Sequence, residues 1–216
     1  MHRLTGHNER LRAVNTRGAG NLLRDEITQA ATRLLSRATS RDAVTLRAIA
    51  RETGIAAPSI YRHFADRDAV LDAVVTATFQ QLETVCEQAF HHAGTGIERV
   101  RSISYAYVDF AAQHRSEYRI LFERAADVIE SGAPSAPTYP PGIRAFRFFI
   151  DAFAQMMQEE DSDTTDPIRD AEALWAALHG IVTLIPATPG FPWAPTEVLL
   201  DHLIEKLTSR TTTRGL

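Results

Sequence analysis

The sequence predicts an all-α protein of about nine helices, with a unit of three helices at the N-terminal end and a larger helical body behind it. Two observations support this fold class. Apolar residues recur at i, i+3, i+4 spacing along most of the chain, and we find no convincing apolar–polar alternation of the kind that marks a half-buried strand. Segments rich in glycine, proline or acidic residues separate the apolar repeats, so the helices are joined by breaks.

The first predicted helix lies in the segment in front of residues 45–64. Its apolar side follows i, i+3, i+4, i+7, i+8 and consists of Ile27, Ala30, Ala31, Leu34 and Leu35. Such a side can brace the two shorter helices that follow it.

Residues 45–64 predict two short helices joined by a sharp turn. Gly54 is expected to end the first helix in the left-handed conformation. Pro58 is tolerated in the first turn of the second, which begins near Ala57. The apolar side of the first helix consists of Leu46, Ile49 and Ala50.

The second short helix has two contrasting edges. Ile60 and Phe64 form an apolar inner edge. The other edge carries small, hydroxylic and cationic side chains suited to phosphates and base edges, namely Pro58, Ser59, Tyr61, Arg62 and His63. The pair therefore predicts a helix-turn-helix unit that places one helix in the groove of DNA.

The body reads as further helices. A long fourth helix is expected to start at residues 66–68 and to continue for about five turns. Its apolar positions are Leu71, Val74, Val75, Phe79, Leu82, Val85, Cys86 and Ala89. The remaining predicted helices span residues 94–112, 115–131, 140–159, 167–186 and 194–209.

The charge of the chain is divided unevenly. Residues 1–67 contain twelve arginines and six acidic residues, a net charge of +6, whereas residues 68–216 carry a net charge of −10. A basic head favours the phosphate backbone, and an acidic body helps to orient the docking. The alternative is that the uneven division of charge arose by chance and has no role in DNA binding.

The helix-turn-helix residues resemble the tetracycline-repressor (TetR) family of one-component bacterial transcription regulators. The resemblance covers roughly residues 22 to 75. A final basic position, usually Lys in the family, is Arg67 here, which keeps the charge but offers a fork of donors. The family pattern is matched by Thr45, Ile49-Ala50, Gly54, Tyr61-Arg62-His63-Phe64 and Arg67.

Two shorter motifs resemble a subgroup whose C-terminal regulatory domain is named for Trp, His and Gly (WHG-type). They are HRSEYR at residues 114–119 and LWAALHG at residues 174–180. The resemblance implies a DNA-binding domain over residues 21–67 and a regulatory and dimerisation domain over residues 68–216. Residues 1–20, with four arginines, are expected to be a flexible arm, either solvated or in contact with a minor groove.

The resemblance also implies roles for individual residues. Base edges are expected to be met by Arg47, Ala57 and Pro58, and either bases or phosphates by Tyr61. Phosphates are expected to be held by Thr45, Ser59, His63 and Arg67. Thr45 precedes an apolar run and is equally typical of a helix N-cap. The alternative for His63 is a side chain that is exposed to solvent and does not contact DNA. Replacing Arg47 should relax operator preference, whereas replacing Arg67 should weaken binding to every DNA and flatten the salt slope by about one unit.

Residues 167–209 are expected to form a homodimer interface, a four-helix arrangement with two helices from each chain, because two reading heads are needed to cover an operator. Burial of the same surface within a monomer is the alternative. The apolar positions are Leu174, Leu178, Ile181, Val182 and Ile185 on the first helix, and Leu199, Leu203, Ile204 and Leu207 on the second.

Aromatic residues in the body suggest a pocket for a small, mostly apolar effector that moves the fourth helix and weakens DNA binding. Packing in the core is the alternative for each of them. The candidate pocket residues are Tyr107, Phe110, Phe122, Phe149, Trp175 and His179.

An enzyme or a helical interaction module is the competing class. We find no HExxH, GxSxG, Walker or complete GxGxxG motif, and we expect no catalytic residue, cofactor or metal. The group most similar to a metal site consists of Cys86, Glu87, His91 and His92. Adjacent histidines point to different sides of a helix, so His91 and His92 are better explained as a surface pair at a helix end.

Cys86 lies on an apolar stripe and predicts a packed thiol. Apolar stretches are interrupted by charges, so neither a membrane span nor a signal peptide is expected, and the cytoplasm is the expected location. The sequence identifies neither the operator, the effector nor the regulated genes.

Overall fold

The computed structural model of the chain describes residues 19–38, 41–122, 142–159 and 165–209. Within these ranges the regular structure is entirely helical, which confirms the all-α class. The elements are α1 Ala19–Arg37, a 3₁₀ turn Arg41–Ala43, α2 Leu46–Thr53, α3 Ala57–Ile60, α4 Arg67–His92, α5 Gly96–Gln113, α6 at residues 115–122, α7 Ile143–Gln158, α8 Pro167–Ala187 and α9 Thr196–Thr208. Most of the predicted N-terminal arm and residues 123–131 of the predicted sixth helix lie outside the described residues.

The first three helices share one apolar centre. Helix α1 packs on α2, and α2 packs on α3. The predicted apolar sides are buried, except that Leu34 and Leu46 are only half-buried. The buried members are Ile27, Ala30, Ala31, Leu35, Val44, Ile49, Ala50, Ile60 and Phe64. Removing such side chains from water stabilises the unit by about 1.5–3 kcal/mol for each large one.

Helix α4 connects this unit to the body. It begins at Arg67, where the Asp66 carboxylate caps it by accepting a hydrogen bond from the Ala69 amide at 2.8 Å. It packs on α1 at one end and on α5 and α7 farther along. Its buried stripe consists of Val70, Leu71, Val74, Val75, Thr78, Leu82 and Cys86. Helix α4 therefore contacts both the head and the body.

The body is built around α5, which packs on α4, α7, α8 and α9. A capping box starts this helix: the Thr95 hydroxyl accepts from the Glu98 amide, and the Glu98 carboxylate accepts from the Thr95 amide. These backbone hydrogen bonds lower the pKa of Glu98. At Gly96 a Cβ atom would lie 2.5 Å from the Met156 amide nitrogen, so the close approach of α5 and α7 requires glycine.

Cys86 is fully buried, as its position on the apolar stripe predicts. Burial, with the nearby Glu83 carboxylate, raises the pKa of its thiol to about 12. His91 and His92 on the same helix are exposed, so this thiol and these imidazoles do not form one cluster. Across the described helices, none is both long and apolar enough to cross a bilayer.

Candidate nucleic-acid interface and regulatory core

The turn between α2 and α3 has the geometry that its sequence predicts. The Thr45 hydroxyl caps α2 by accepting a hydrogen bond from the Ala48 amide at 3.2 Å. Gly54 ends the helix in the left-handed conformation, at φ 72°, and the Ile55 amide donates to the Ala50 carbonyl at 2.9 Å. The chain thus reverses direction within a few residues and enters α3.

Helix α3 is shorter than a typical recognition helix, because regular α-helix is limited to Ala57–Ile60 and is followed by a turn at residues 61–63. The turn remains tied to the helix, since the amides of His63 and Phe64 both donate to the Ile60 carbonyl. Ile60 and Phe64 form the buried inner edge, as predicted. Tyr61, with 61% of its side chain exposed, lies on the opposite edge.

The predicted DNA-contacting residues lie at the start of α2, on α3 and its turn, and at the start of α4. Four are exposed: Thr45, Arg47, Pro58 and Tyr61. Four are half-buried: Ala57, Ser59, His63 and Arg67. This distribution leaves a polar edge accessible to a large partner.

Three arginines in this region bind protein groups. Arg62 donates to the Ser59 hydroxyl at 3.3 Å. The Nε of Arg67 donates to the Val44 carbonyl at 2.7 Å, beside the start of α2. Arg24 of α1 donates to the His63 carbonyl. Sequence reasoning missed Arg24, because its partner is 39 residues away and no local spacing indicates it.

Five of the six predicted pocket residues form one aromatic cluster between α5, α6, α7 and α8. The rings of Phe122 and His179 lie 4.2 Å apart between centroids, those of Tyr107 and Phe149 lie 6.1 Å apart, and Phe122 also faces Trp175 at 6.2 Å. These rings pack directly against one another. This arrangement is the one expected if the aromatic residues form part of the core and do not line an open pocket. They bring α6 and α8 together around α5.

A chain of hydrogen bonds runs through the aromatic cluster. The hydroxyls of Tyr107 and Tyr118 are 2.5 Å apart, and the Tyr118 hydroxyl lies 2.8 Å from Nδ1 of His179. Burial raises the pKa of both tyrosines and lowers the pKa of His179. With a neutral imidazole, Tyr107 can donate to Tyr118 and Tyr118 to Nδ1. Tyr118 is the partner that joins Tyr107 to His179.

Phe110 does not join the cluster. Its ring lies beside His114, with centroids 4.6 Å apart, and it lines a groove of about 740 Å³ between α4 and α5. The groove is bordered by Ala77, Gln80, Gln81, Thr84, Val85, Ala106, Asp109, Gln113 and His114. One side of α5 therefore faces an open groove beside α4, and the other faces the packed aromatic cluster.

Helices α8 and α9 and the segment between them expose large apolar side chains. Leu184 is 48% exposed and Val198 is 56% exposed. Ile168 and Trp175 on α8 and Phe191 between the helices are exposed as well. The apolar positions predicted along residues 167–209 fall into two groups: Leu174, Leu178 and Ile204 are buried within the chain, and the other six are half-buried. Asp201 on α9 pairs with Arg101 and accepts from the Tyr105 hydroxyl, which fixes α9 against α5.

The described residues contain no group of three or more histidine, cysteine, aspartate or glutamate side chains placed to hold a metal ion. The arrangement instead combines an exposed polar edge in the head with an aromatic cluster in the body.

Two family descriptions match this chain. "Bacterial regulatory proteins, tetR family" matches residues 27–74, which contain the helix-turn-helix pair. "Tetracyclin repressor-like, C-terminal domain" matches residues 100–207, from α5 through α9.

Solved structures share the fold over most of the chain. A Rhodococcus sp. RHA1 protein of unknown function has a TM-score of 0.74 at 24% identity, covering 92% of this chain and 97% of its own. The fatty acid degradation regulator FadR from Bacillus halodurans has a TM-score of 0.66 at 14% identity, with 89% and 97% covered. The TetR family transcriptional regulator PfmR from Thermus thermophilus has a TM-score of 0.62 at 15% identity, with 84% and 96% covered.

With its N-terminal match on the helix-turn-helix pair and a C-terminal match that spans half of the sequence, the chain belongs to the TetR family of bacterial transcriptional regulators.

Proposed function

We propose that this regulator is a repressor that binds a palindromic operator as a homodimer and is released by a small effector. The observation that carries the proposal is the polar edge of α3 and its turn, which stays exposed in a segment of net charge +6 while Ile60 and Phe64 anchor the opposite edge. Repression requires only that the bound dimer blocks the promoter. The DNA-binding part comprises residues 21–67, and the regulatory part residues 68–216.

Base contacts are assigned to side chains at the start of α2 and of α3. Arg47 offers a guanidinium that can bind guanine in two places, and Ala57 and Pro58 offer apolar contacts to thymine methyl groups. Tyr61 reaches either a base or a phosphate. Thr45, Ser59 and His63 are assigned to phosphates, and the Thr45 hydroxyl can cap α2 and still donate its own proton. Arg67 adds positive charge, although its guanidinium already binds protein atoms.

Dimerisation is assigned to residues 167–209. Leu184 on α8 and Val198 on α9 are exposed apolar side chains of the kind that a partner helix buries. A two-fold axis through these helices places two identical heads on one duplex.

The effector is assigned to the body, among the predicted pocket residues. The aromatic cluster supplies an apolar environment and the hydroxyl–imidazole chain a polar contact, while Phe110 links α5 to the groove beside α4. A ligand that prefers a shifted α4 would change the spacing of the heads, and couplings of about 1–3 kcal/mol are typical between such sites. The LWAALHG motif supports assignment of the chain to the WHG-type subgroup, since its Trp175 and His179 both lie in the aromatic cluster and Gly180 follows them.

The proposal is tested by selecting duplexes from a random pool with the purified protein and measuring their gel shift between about 50 and 200 mM salt, where phosphate contacts are strongly salt-dependent. We expect an enriched inverted repeat whose affinity falls steeply as salt rises. An enzyme or an interaction module would also be located in the cytoplasm, but it would enrich no sequence. That result would reject the proposal.

A further inference from the structure

The helix-turn-helix pair is held at both of its ends by an arginine from a neighbouring helix. At the start, Arg67 of α4 donates from Nε to the Val44 carbonyl at 2.7 Å, and its terminal nitrogen lies 3.5 Å from the Asp42 carboxylate. At the end, Arg24 of α1 donates to the His63 carbonyl. The guanidinium carbon of Arg24 also lies 4.1 Å from the centre of the Phe64 ring.

Both acceptor carbonyls lie outside the regular helices of the pair. Val44 directly precedes the Thr45 cap of α2, and His63 lies in the turn that follows α3. A carbonyl in such a position has no helical partner of its own, so a charged donor both satisfies it and fixes its place. Hydrogen bonds to charged groups contribute more than neutral ones.

Apolar packing alone fixes the orientation of α3 only weakly. It has four regular residues, of which only Ile60 is buried. Phe64, beyond the turn, is the next apolar anchor, and it is the ring over which Arg24 lies. The tilt of α3 therefore depends on the contacts at the two ends of the pair as well as on its own core.

We propose that Arg24 and Arg67 are positioning residues that set the angle at which α3 meets the operator, and that they determine discrimination between DNA sequences rather than supplying phosphate charge. The inference rests on the proposed DNA-binding function. It replaces the phosphate role that the sequence predicts for Arg67. A misaligned α3 loses its base-edge contacts, whereas non-specific binding depends on the side chains that neutralise phosphates.

The test compares Arg24→Gln and Arg67→Gln with Arg62→Gln, which removes the same charge from an exposed arginine that binds the Ser59 hydroxyl within α3 and its turn, not an end of the pair. Each protein is titrated on the duplex that the wild type selects and on a scrambled duplex of equal length, over the same range of salt. For the two positioning residues we expect operator affinity to fall about tenfold, as for a lost base contact, with affinity for the scrambled duplex within about twofold and a salt slope equal to that of the wild type. Arg62→Gln should weaken binding to both duplexes and flatten the slope by up to about one unit.

Equal losses of affinity for both duplexes, with a flatter salt slope, would assign Arg67 or Arg24 to a phosphate and overturn the inference. An unchanged ratio of operator affinity to scrambled-duplex affinity would overturn it as well. Arg24→Lys and Arg67→Lys guard against misfolding, because they keep the charge and remove the fork of donors. Their discrimination should stay below that of the wild type at an unchanged slope, and full recovery would also overturn the inference. If the wild type selects no duplex, the proposed function itself fails.

Discussion

At the scale of single residues, the head separates side chains that can touch DNA from side chains that hold the head together. Arg47 is exposed near the start of α2, while Arg24 and Arg67 bind carbonyls of the protein itself. Sequence alone places all three in one basic segment. Their different partners become visible only when the fold brings α1 and α4 against the ends of the helix pair.

Replacing Arg47 with glutamine should relax operator preference. The guanidinium is assigned to a base edge, and losing a good two-point contact to a base costs about 1–3 kcal/mol of discrimination. Binding curves on the selected duplex and on variants changed at one base pair at a time measure this. We expect a loss of preference confined to one position in each half-site, and equal weakening on every duplex would exclude the base contact.

His179 should make the stability of the protein sensitive to acid. Burial lowers its pKa below the ordinary value of 6.5, so the unfolded chain binds a proton first as the pH falls. The contribution of the neutral imidazole is complete above about pH 6.5 and is lost as the pH falls through this value toward the lower folded pKa.

The melting temperature of His179→Gln should therefore fall less than that of the wild type between about pH 7.5 and 5.5. Glutamine can still accept a hydrogen bond from Tyr118 but does not titrate. His91→Gln, which removes an exposed histidine from α4, is the control and should keep the acid sensitivity of the wild type. Identical acid sensitivity in His179→Gln and the wild type would contradict the assignment.

At the scale of elements, the turn after α2 depends on one glycine. Gly54 has a φ of 72°, and a Cβ atom there would meet no other atom within 4 Å, so any cost of a side chain comes from the backbone itself. Alanine in the left-handed conformation costs about 1–2 kcal/mol.

Gly54→Ala should therefore lower the free energy of unfolding by about 1 kcal/mol. Urea denaturation followed by circular dichroism measures this value. Gly190→Ala is the matched control, since Gly190 also has open space around it but no positive φ, and its stability should be equal to or above that of the wild type. A neutral Gly54→Ala would mean that the turn adopts another conformation in solution.

The apolar surface of α8 and α9 should control the oligomeric state. Leu184→Glu places a charge on a side chain that is 48% exposed in the single chain and that a partner helix would bury. We expect light scattering to show a dimer for the wild type and a monomer for Leu184→Glu. The monomer should bind the selected duplex far more weakly, because only one head remains.

Met157→Glu is the control for that experiment, because Met157 is 42% exposed but lies on α7. It should remain dimeric. A dimeric Leu184→Glu protein would move the interface away from residues 167–209.

At the scale of the whole molecule, helical periodicity predicted the helices and the inner edges of the head well. The predicted helix at residues 167–186 is observed at Pro167–Ala187, and the one at residues 194–209 at Thr196–Thr208. Periodicity identifies an apolar side but not what covers it. For this reason Leu174 and Leu178, on the apolar side predicted for the first of these helices, are buried within the chain, while the exposed apolar residues include Ile168 and Leu184.

The candidate sites were predictable to different degrees. The helix-turn-helix residues are close in sequence, so their spacing and turn chemistry fix their geometry locally. The aromatic cluster depends on contacts between distant helices: Tyr118 lies 11 residues from Tyr107 and 61 residues from His179. Spacing could propose its members but not the hydrogen-bond chain or the separation of Phe110 from the cluster.

The final prediction concerns the arrangement of the two heads. In a rigid dimer the α3 helices face successive turns of one side of the duplex, about 34–36 Å apart or a multiple of this distance. Inserting five base pairs between the half-sites rotates one of them to the opposite side of the duplex, since a turn holds about 10–10.5 base pairs. Affinity should then fall to that of a single half-site, whereas the same five base pairs added outside the repeat should change nothing. Gel shifts and hydroxyl-radical footprints on these duplexes measure both, and undiminished protection of the two half-sites after the central insertion would show that the heads bind independently.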